Sequence, residues 1–242
     1  MHVEPLELRR HLSVDLVNGL LRVNGTANAD SITVTLHNHE FRITLNGASK
    51  TFKASKVHEL KVRGFAGGDN VQLFGLINIP IAVFGERGND TIHGSDGRDL
   101  LDGGGGNDSI DGGLNDDWLI GGSGKDRLVD HNGDDVFFGG SGRDILNSRD
   151  GHGGDELHTG PGVDRPFHDK GDAVNPKRVE NVPPADFPFF DDVSVDLSMP
   201  ADSGSGDDPT TQPTTQPTDD PGSDSDPDSD LDFDWDEDFE DF

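Results

Sequence analysis

The sequence predicts an all-β chain: a solenoid of short strands with a β-rich N-terminal cap and a disordered acidic C-terminal tail. Three observations predict it. From Gly85 the residues repeat with a strict nine-residue period. Ahead of that, residues 20–84 alternate apolar and polar side chains at the period of half-buried strands. Hydrophobic residues make up only 30% of the 242, while glycine numbers 33. That is too little apolar material for one large core but enough for stacked repeats, each burying a side chain or two against its neighbours.

In chain order, residues 1–19 read as a leader or targeting segment. Within it, residues 4–13 (EPLELRRHLS) resemble the Leu-Glu-Pro-Arg-type N-terminal segment of secreted planctomycete proteins, although Pro5 precedes Leu6-Glu7 and His11 stands where a leucine is usual. The resemblance implies export. The cap, residues 20–84, alternates at Leu21-Arg22-Val23, Ile32-Thr33-Val34-Thr35-Leu36, Phe41-Arg42-Ile43-Thr44-Leu45 and Val57-His58-Glu59-Leu60-Lys61-Val62. Asn46-Gly47 marks a tight turn, and His37-Asn38-His39 a second one.

Residues 85–167 hold the repeats: GERGNDTIH, GSDGRDLLD, GGGGNDSID, GGLNDDWLI, GGSGKDRLV, DHNGDDVFF and GGSGRDILN. After the two-residue insertion Ser148-Arg149 come DGHGGDELH (150–158) and TGPGVDRPF (159–167). Upstream, GFAGGDNVQ (64–72) has the same spacing, and GTANADSIT (25–33) keeps the aspartate and the apolar position. Residues 168–200 form a transition segment with Pro183-Pro184, Pro188, Phe187, Phe189 and Phe190. Residues 201–242 are low in complexity and too polar to offset chain entropy by burial, which predicts disorder.

Each position of the nonapeptide has a physical reading. Glycine at positions 1, 2 and 4 permits positive φ and close backbone approach, so that carbonyl oxygens converge. Gly85, Gly88, Gly94, Gly97, Gly103, Gly106, Gly121, Gly124, Gly139 and Gly142 occupy positions 1 and 4. Asn115 replaces one position-4 glycine, and asparagine also visits the left-handed region. Position 8 is apolar throughout (Ile92, Leu101, Ile110, Leu119, Leu128, Phe137, Leu146, Leu157), one inward residue per short strand. Position 6 is aspartate.

Two nonapeptides make one coil, so loops eighteen residues apart meet. One row then holds Asp90, Asp108, Asp126 and Asp144, and the other Asp99, Asp117 and Asp135. Beyond the insertion, Asp155 pairs with Asp135 and Asp164 with Asp144. Like charges stacked this way repel unless a cation lies between them. A hard ion such as Ca²⁺ takes six or more oxygens, which carboxylates and loop carbonyls supply together. Seven in-register loops give five such pairs, hence about five or more ions. Asp130-His131 replaces the glycine pair of one loop and weakens the pattern there.

Residues 85–158, and more loosely 64–167, resemble the repeats-in-toxin (RTX, hemolysin-type) calcium-binding nonapeptide repeat family. The resemblance implies a right-handed parallel β-roll that folds on meeting millimolar calcium after secretion, and therefore an extracellular or cell-surface protein.

Charge and motif content narrow the remaining functions. Residues 179–242 hold 21 of the 48 acids and none of the 19 bases, which leaves residues 1–178 at a net −8. Such a surface repels nucleic acid and anionic membranes. No apolar run reaches transmembrane length, which argues against membrane insertion. There is no cysteine, so stability must come from elsewhere, bound metal included. No nucleophile–base set appears, and the expectation is that the protein is not an enzyme. The alternative is a secretion or stability module of an adhesin that binds cell-surface or polysaccharide partners, or, less favoured, of an enzyme. Leu100, Trp118 and Val136, with Ile120 and Phe138, should line an outward apolar strip on which residues 187–190, residues 233–235 or another molecule dock. The acidic tail admits three readings: a solubilising tail, a low-affinity calcium buffer, or the C-terminal secretion signal that the family resemblance implies.

Overall fold

The computed structural model describes residues 13–75 and 79–175. They form eighteen strands and one turn of 3-10 helix (Ala54–Lys56). The strands are β1 (Ser13–Val17), β2 (Leu20–Asn24), β3 (Ser31–His37), β4 (Glu40–Leu45), β5 (Ala48–Lys53), β6 (Glu59–Ala66), β7 (Asn70–Phe74), β8 (Ile81–Arg87) and β9 (Thr91–His93). They continue as β10 (Asp99–Gly105), β11 (Ser109–Asp111), β12 (Trp118–Gly124), β13 (Arg127–Val129), β14 (Val136–Gly142), β15 (Ile145–Asn147), β16 (Glu156–His158), β17 (Arg165–Phe167) and β18 (Ala173–Val174).

From β5 onward successive strands alternate between two sheets, as a parallel β-solenoid requires. One sheet runs β1-β2-β6-β8-β10-β12-β14-β16-β18, the other β17-β15-β13-β11-β9-β7-β3-β4-β5. All neighbours from β6 onward are parallel, with Leu101 opposite Leu119, Leu119 opposite Phe137, and Ile110 opposite Leu128. The eighteen-residue register read from the sequence is thus the register of the fold. At the insertion the offset becomes twenty, Val136 facing Glu156 and Ile145 facing Arg165. The two additional residues are taken up in the loop before β16, and both sheets continue in phase.

The strands of residues 20–84 stack in the same two sheets as the repeats, and β8 spans residues 81–87 without interruption. Two antiparallel additions close the N-terminal edges. β1, at the end of the segment read as a leader, pairs antiparallel with β2, placing Val14 and Leu16 against the core. The β4–β5 hairpin pairs antiparallel with β3. Both cover open edges that would otherwise template aggregation. The predicted turns are present: Asn38 and His39 take φ 50 and 63, and Asn46 and Gly47 take φ 49 and 83.

Every position-8 residue points inward. Ile92, Leu101, Ile110, Leu119, Leu128, Phe137, Leu146 and Leu157 are at most 1% exposed and form one continuous core with Leu21, Ile32, Leu60, Val71 and Ile81. Burial of such a side chain contributes about 1.5–3 kcal/mol, which is how a thin interior holds the solenoid. The apolar strip is also present and longer than expected, but it is buried and not an exposed surface. Ala82, Phe84, Leu100, Trp118, Ile120, Val136 and Phe138 make a second cluster, separate from the interior and at most 8% exposed. Trp118 meets Phe138 at 5.5 Å between ring centroids, and Phe138 stacks on His158 at 4.7 Å. Residues 1–12, the transition residues from 176 on and the acidic tail, with the segments expected to dock on the strip, lie outside the described residues.

Candidate metal centre

Each position-6 aspartate sits at the end of a loop, immediately before or at the start of a strand, and its side chain turns back toward the adjacent coil. The amide of Asp90 donates to Oδ1 of Asp108 (2.8 Å), that of Asp108 to Asp126 (2.9 Å), and that of Asp126 to Asp144 (3.0 Å). The second row repeats this: Asp99 donates to Asp117 (2.7 Å), and Asp117 to Asp135 (2.8 Å). Both rows continue past the insertion, from Asp135 to Asp155 (2.8 Å) and from Asp144 to Asp164 (3.0 Å).

The first row also runs further upstream than the regular period shows. Asp30 donates to Asp69 (2.7 Å), and Asp69 to Asp90 (2.7 Å). The sequence hides this continuation because the β4–β5 hairpin and the loop before β8 stretch the spacing to 39 and 21 residues. The one available signal was the aspartate followed two residues later by an apolar residue, in GTANADSIT and GFAGGDNVQ.

These carboxylates are buried. Asp90, Asp99, Asp108, Asp117, Asp126, Asp135, Asp144 and Asp155 are 0–2% exposed. Except in Asp99, whose two oxygens both accept from Ser95 of its own loop, one oxygen of each is used by the neighbouring coil's amide; the other decides the chemistry. Oδ2 of Asp69, Asp90, Asp108, Asp117, Asp126 and Asp144 has no hydrogen-bond partner. Two loops differ. Oδ2 of Asp99 accepts from the amide of Ser95 (2.5 Å), and Oδ2 of Asp30 accepts from the amide (2.5 Å) and hydroxyl (3.0 Å) of Thr26. In both, a hydroxyl residue occupies position 2, and the loop satisfies its own aspartate.

Burial shifts these acids upward, with desolvation the largest cause in each case. Asp126 is pushed up to about 6, Asp99, Asp108 and Asp155 to about 7, and Asp135 to about 8. Neighbouring carboxylates add to the rise: Asp126 and Asp90 beside Asp108, and Asp130 and Asp155 beside Asp135. Asp117 is raised well above the ordinary carboxylate value, by burial and then by Asp99 and Asp130. Asp90 and Asp144 are raised by burial as well. A buried, incompletely bonded carboxylate must take a proton or a cation.

The loop backbone brings further oxygens to the same spots. A β-carbon placed on Gly121 would lie 2.6 Å from the Gly139 carbonyl and 2.7 Å from Oδ2 of Asp126. On Gly139 it would lie 2.6 Å from the Thr159 carbonyl and 3.0 Å from Oδ2 of Asp144. Gly85, Gly94 and Gly103 are hemmed in similarly by their own loop's aspartate. Position-1 glycine is therefore needed for space and not for positive φ. Positions 2 and 4 are the left-handed ones: at position 2 Gly104, Gly113, Gly122 and Gly140 have φ between 89 and 118, at position 4 Gly88, Gly106, Gly124 and Gly142 have φ between 136 and 145, and Asn115 takes φ 69. Gly97 is not left-handed, and its amide donates to Oγ of Ser95 (3.0 Å), within the loop that closes on itself.

The donor set suits calcium. Carboxylate and carbonyl oxygens are the ligands this ion takes, six to eight at a time, whereas no thiol and no imidazole takes part. The residues that would hold it are the aspartates with an unpartnered Oδ2, together with the loop carbonyls converging beside them; the ion would supply the positive charge that the stacked carboxylates lack.

One set of three acids stands out. Asp117, Asp130 and Asp135 bring ligand oxygens within 4.8 Å of one another, and all three are buried. Residues 84–155 match the family model for the RTX calcium-binding nonapeptide repeat (4 copies), over 84–119, 111–146 and 120–155. A search of the curated proteins and one of the solved structures each gave no match.

Proposed function

We propose that this array of RTX calcium-binding repeats is a non-catalytic module of an extracellular or cell-surface protein, ordered by the calcium it binds. The observation that carries the reading is the row of buried aspartates with an unpartnered Oδ2. Amide-to-carboxylate bonds hold adjacent coils at a spacing where these acids repel, so the folded state depends on neutralising them. Binding free energy then becomes folding free energy. Modules working outside cells bind calcium in the ~10⁻⁴–10⁻³ M range, which suits a chain without disulfides that relies on the ion for order. The two rows account for most of the buried carboxylates, which supports a structural rather than an acid/base role.

Circular dichroism during a calcium titration of the full chain tests this. Strand signal should rise cooperatively in the range of ~10⁻⁴–10⁻³ M calcium at neutral pH, and magnesium should not replace calcium at the same concentration. A spectrum indifferent to calcium would defeat the reading.

A further inference from the structure

Six of the seven regular repeats place glycine at position 1; the repeat of residues 130–138 places Asp130 there. In sequence this replacement weakens the pattern; in the structure the replacing side chain is turned inward. Asp130 is fully buried, and its Oδ1 is held by the amides of His131 (2.6 Å) and Asn132 (3.2 Å). That leaves Oδ2, which has no hydrogen-bond partner, directed over Gly112 of the preceding coil. A side chain at position 112 would collide with it, so the glycine makes room for the carboxylate. Oδ2 of Asp117 is unpartnered too, and Asp135 completes the trio at 2% exposure. No lysine or arginine forms an ion pair with any of the three among the described residues.

From this geometry we infer that Asp117, Asp130 and Asp135 form a three-carboxylate calcium site that fills before the other sites of the array and nucleates their order. The inference rests on the calcium reading above and adds a rank among the sites. In the other six regular repeats position 1 is glycine and contributes only its backbone. Here it adds a whole negative charge, and ligand charge is a main determinant of calcium affinity in oxygen-lined sites. The trio also occupies the middle of the second row, where occupancy orders coils on both sides.

The test is calorimetric titration of the full chain with calcium chloride, paired with terbium luminescence. Trp118 follows Asp117 directly and serves as the antenna; Trp235→Phe removes the only other tryptophan. One calcium should bind about tenfold or more tightly than the rest, and terbium emission should saturate with that phase. Asp130→Asn keeps the side chain's shape and should abolish the tight phase while the weaker ones persist; Asp130→Gly, which restores the usual repeat residue, should do the same. Asp108→Asn, in the other row, should diminish the weak phases and spare the tight one. Dichroism at saturating calcium reports whether each variant folds. Equivalent sites in the wild type, or a tight phase that survives in both Asp130 variants, overturns the inference while leaving calcium binding intact. Absence of any calcium heat removes the general reading and this one with it.

Discussion

At the residue scale the chain turns on the second oxygen of each aspartate. Outside Asp30 and Asp99, which their own surroundings satisfy, the first is committed to an amide of the neighbouring coil, and burial forces the second to find a partner. Without metal that partner is a proton. The folded-state values of about 6 for Asp126, about 7 for Asp108 and about 8 for Asp135 lie above the ordinary 3.8, so folding takes up protons. The associated stability is fully present below about pH 4 and is lost as pH rises through 6 to 8. In the presence of a chelator, strand dichroism should therefore be stronger near pH 4.5 than near pH 8.5, and calcium affinity should weaken on acidification as protons compete. A metal-free spectrum that does not change with pH would contradict this. The identity of these residues was legible in the repeat. Their internal satisfaction by Ser95 or Thr26 was not, because a hydroxyl at position 2 reads as an ordinary loop substitution until its distance to the carboxylate is known.

At the scale of the element, each loop is a stack of backbone on backbone. Gly122 (φ 97) and Gly151 (φ 87) share a left-handed conformation, but their surroundings differ. A β-carbon on Gly122 would collide with the Gly104 carbonyl of the coil below, whereas on Gly151 it meets nothing within 4 Å. Gly151→Ala should cost only the conformational penalty, about 1–2 kcal/mol. Gly122→Ala should cost roughly 1–3 kcal/mol more, because coils must move apart. Thermal denaturation in saturating calcium measures both; equal losses would show that stacking is looser than described. Glu86 (φ 70) and Phe65 (φ 77) hold the same left-handed position 2 without being glycine, a strain that the stacked ladder imposes on them. The nine-residue period announced the loops, but which glycines serve φ and which serve space required knowledge of what lies on the next coil.

At the scale of the molecule, stability is distributed along one dimension, each coil contacting only its neighbours. The N-terminal coils are rich in large buried residues, including Phe41, Ile43, Leu45, Val62 and Leu73, and their first aspartate is satisfied by Thr26. The repeat coils bury fewer apolar residues and many more carboxylates. Hydrogen exchange with chelator present should therefore protect amides of β2 to β7 and release those of β9 to β15; adding calcium should protect both. Uniform protection without calcium would contradict this division. By itself the sequence determined the solenoid, its eighteen-residue register and the two aspartate rows, because a strict period fixes which residues recur on which face. The tertiary structure alone decided three things. The strands of residues 20–84 enter the same two sheets, the first row reaches back to Asp30 across a hairpin, and Asp130 joins Asp117 and Asp135 in one buried cluster. All three depend on contacts between coils whose separation in sequence is irregular, or on the direction of a single side chain. A repeat pattern encodes neither.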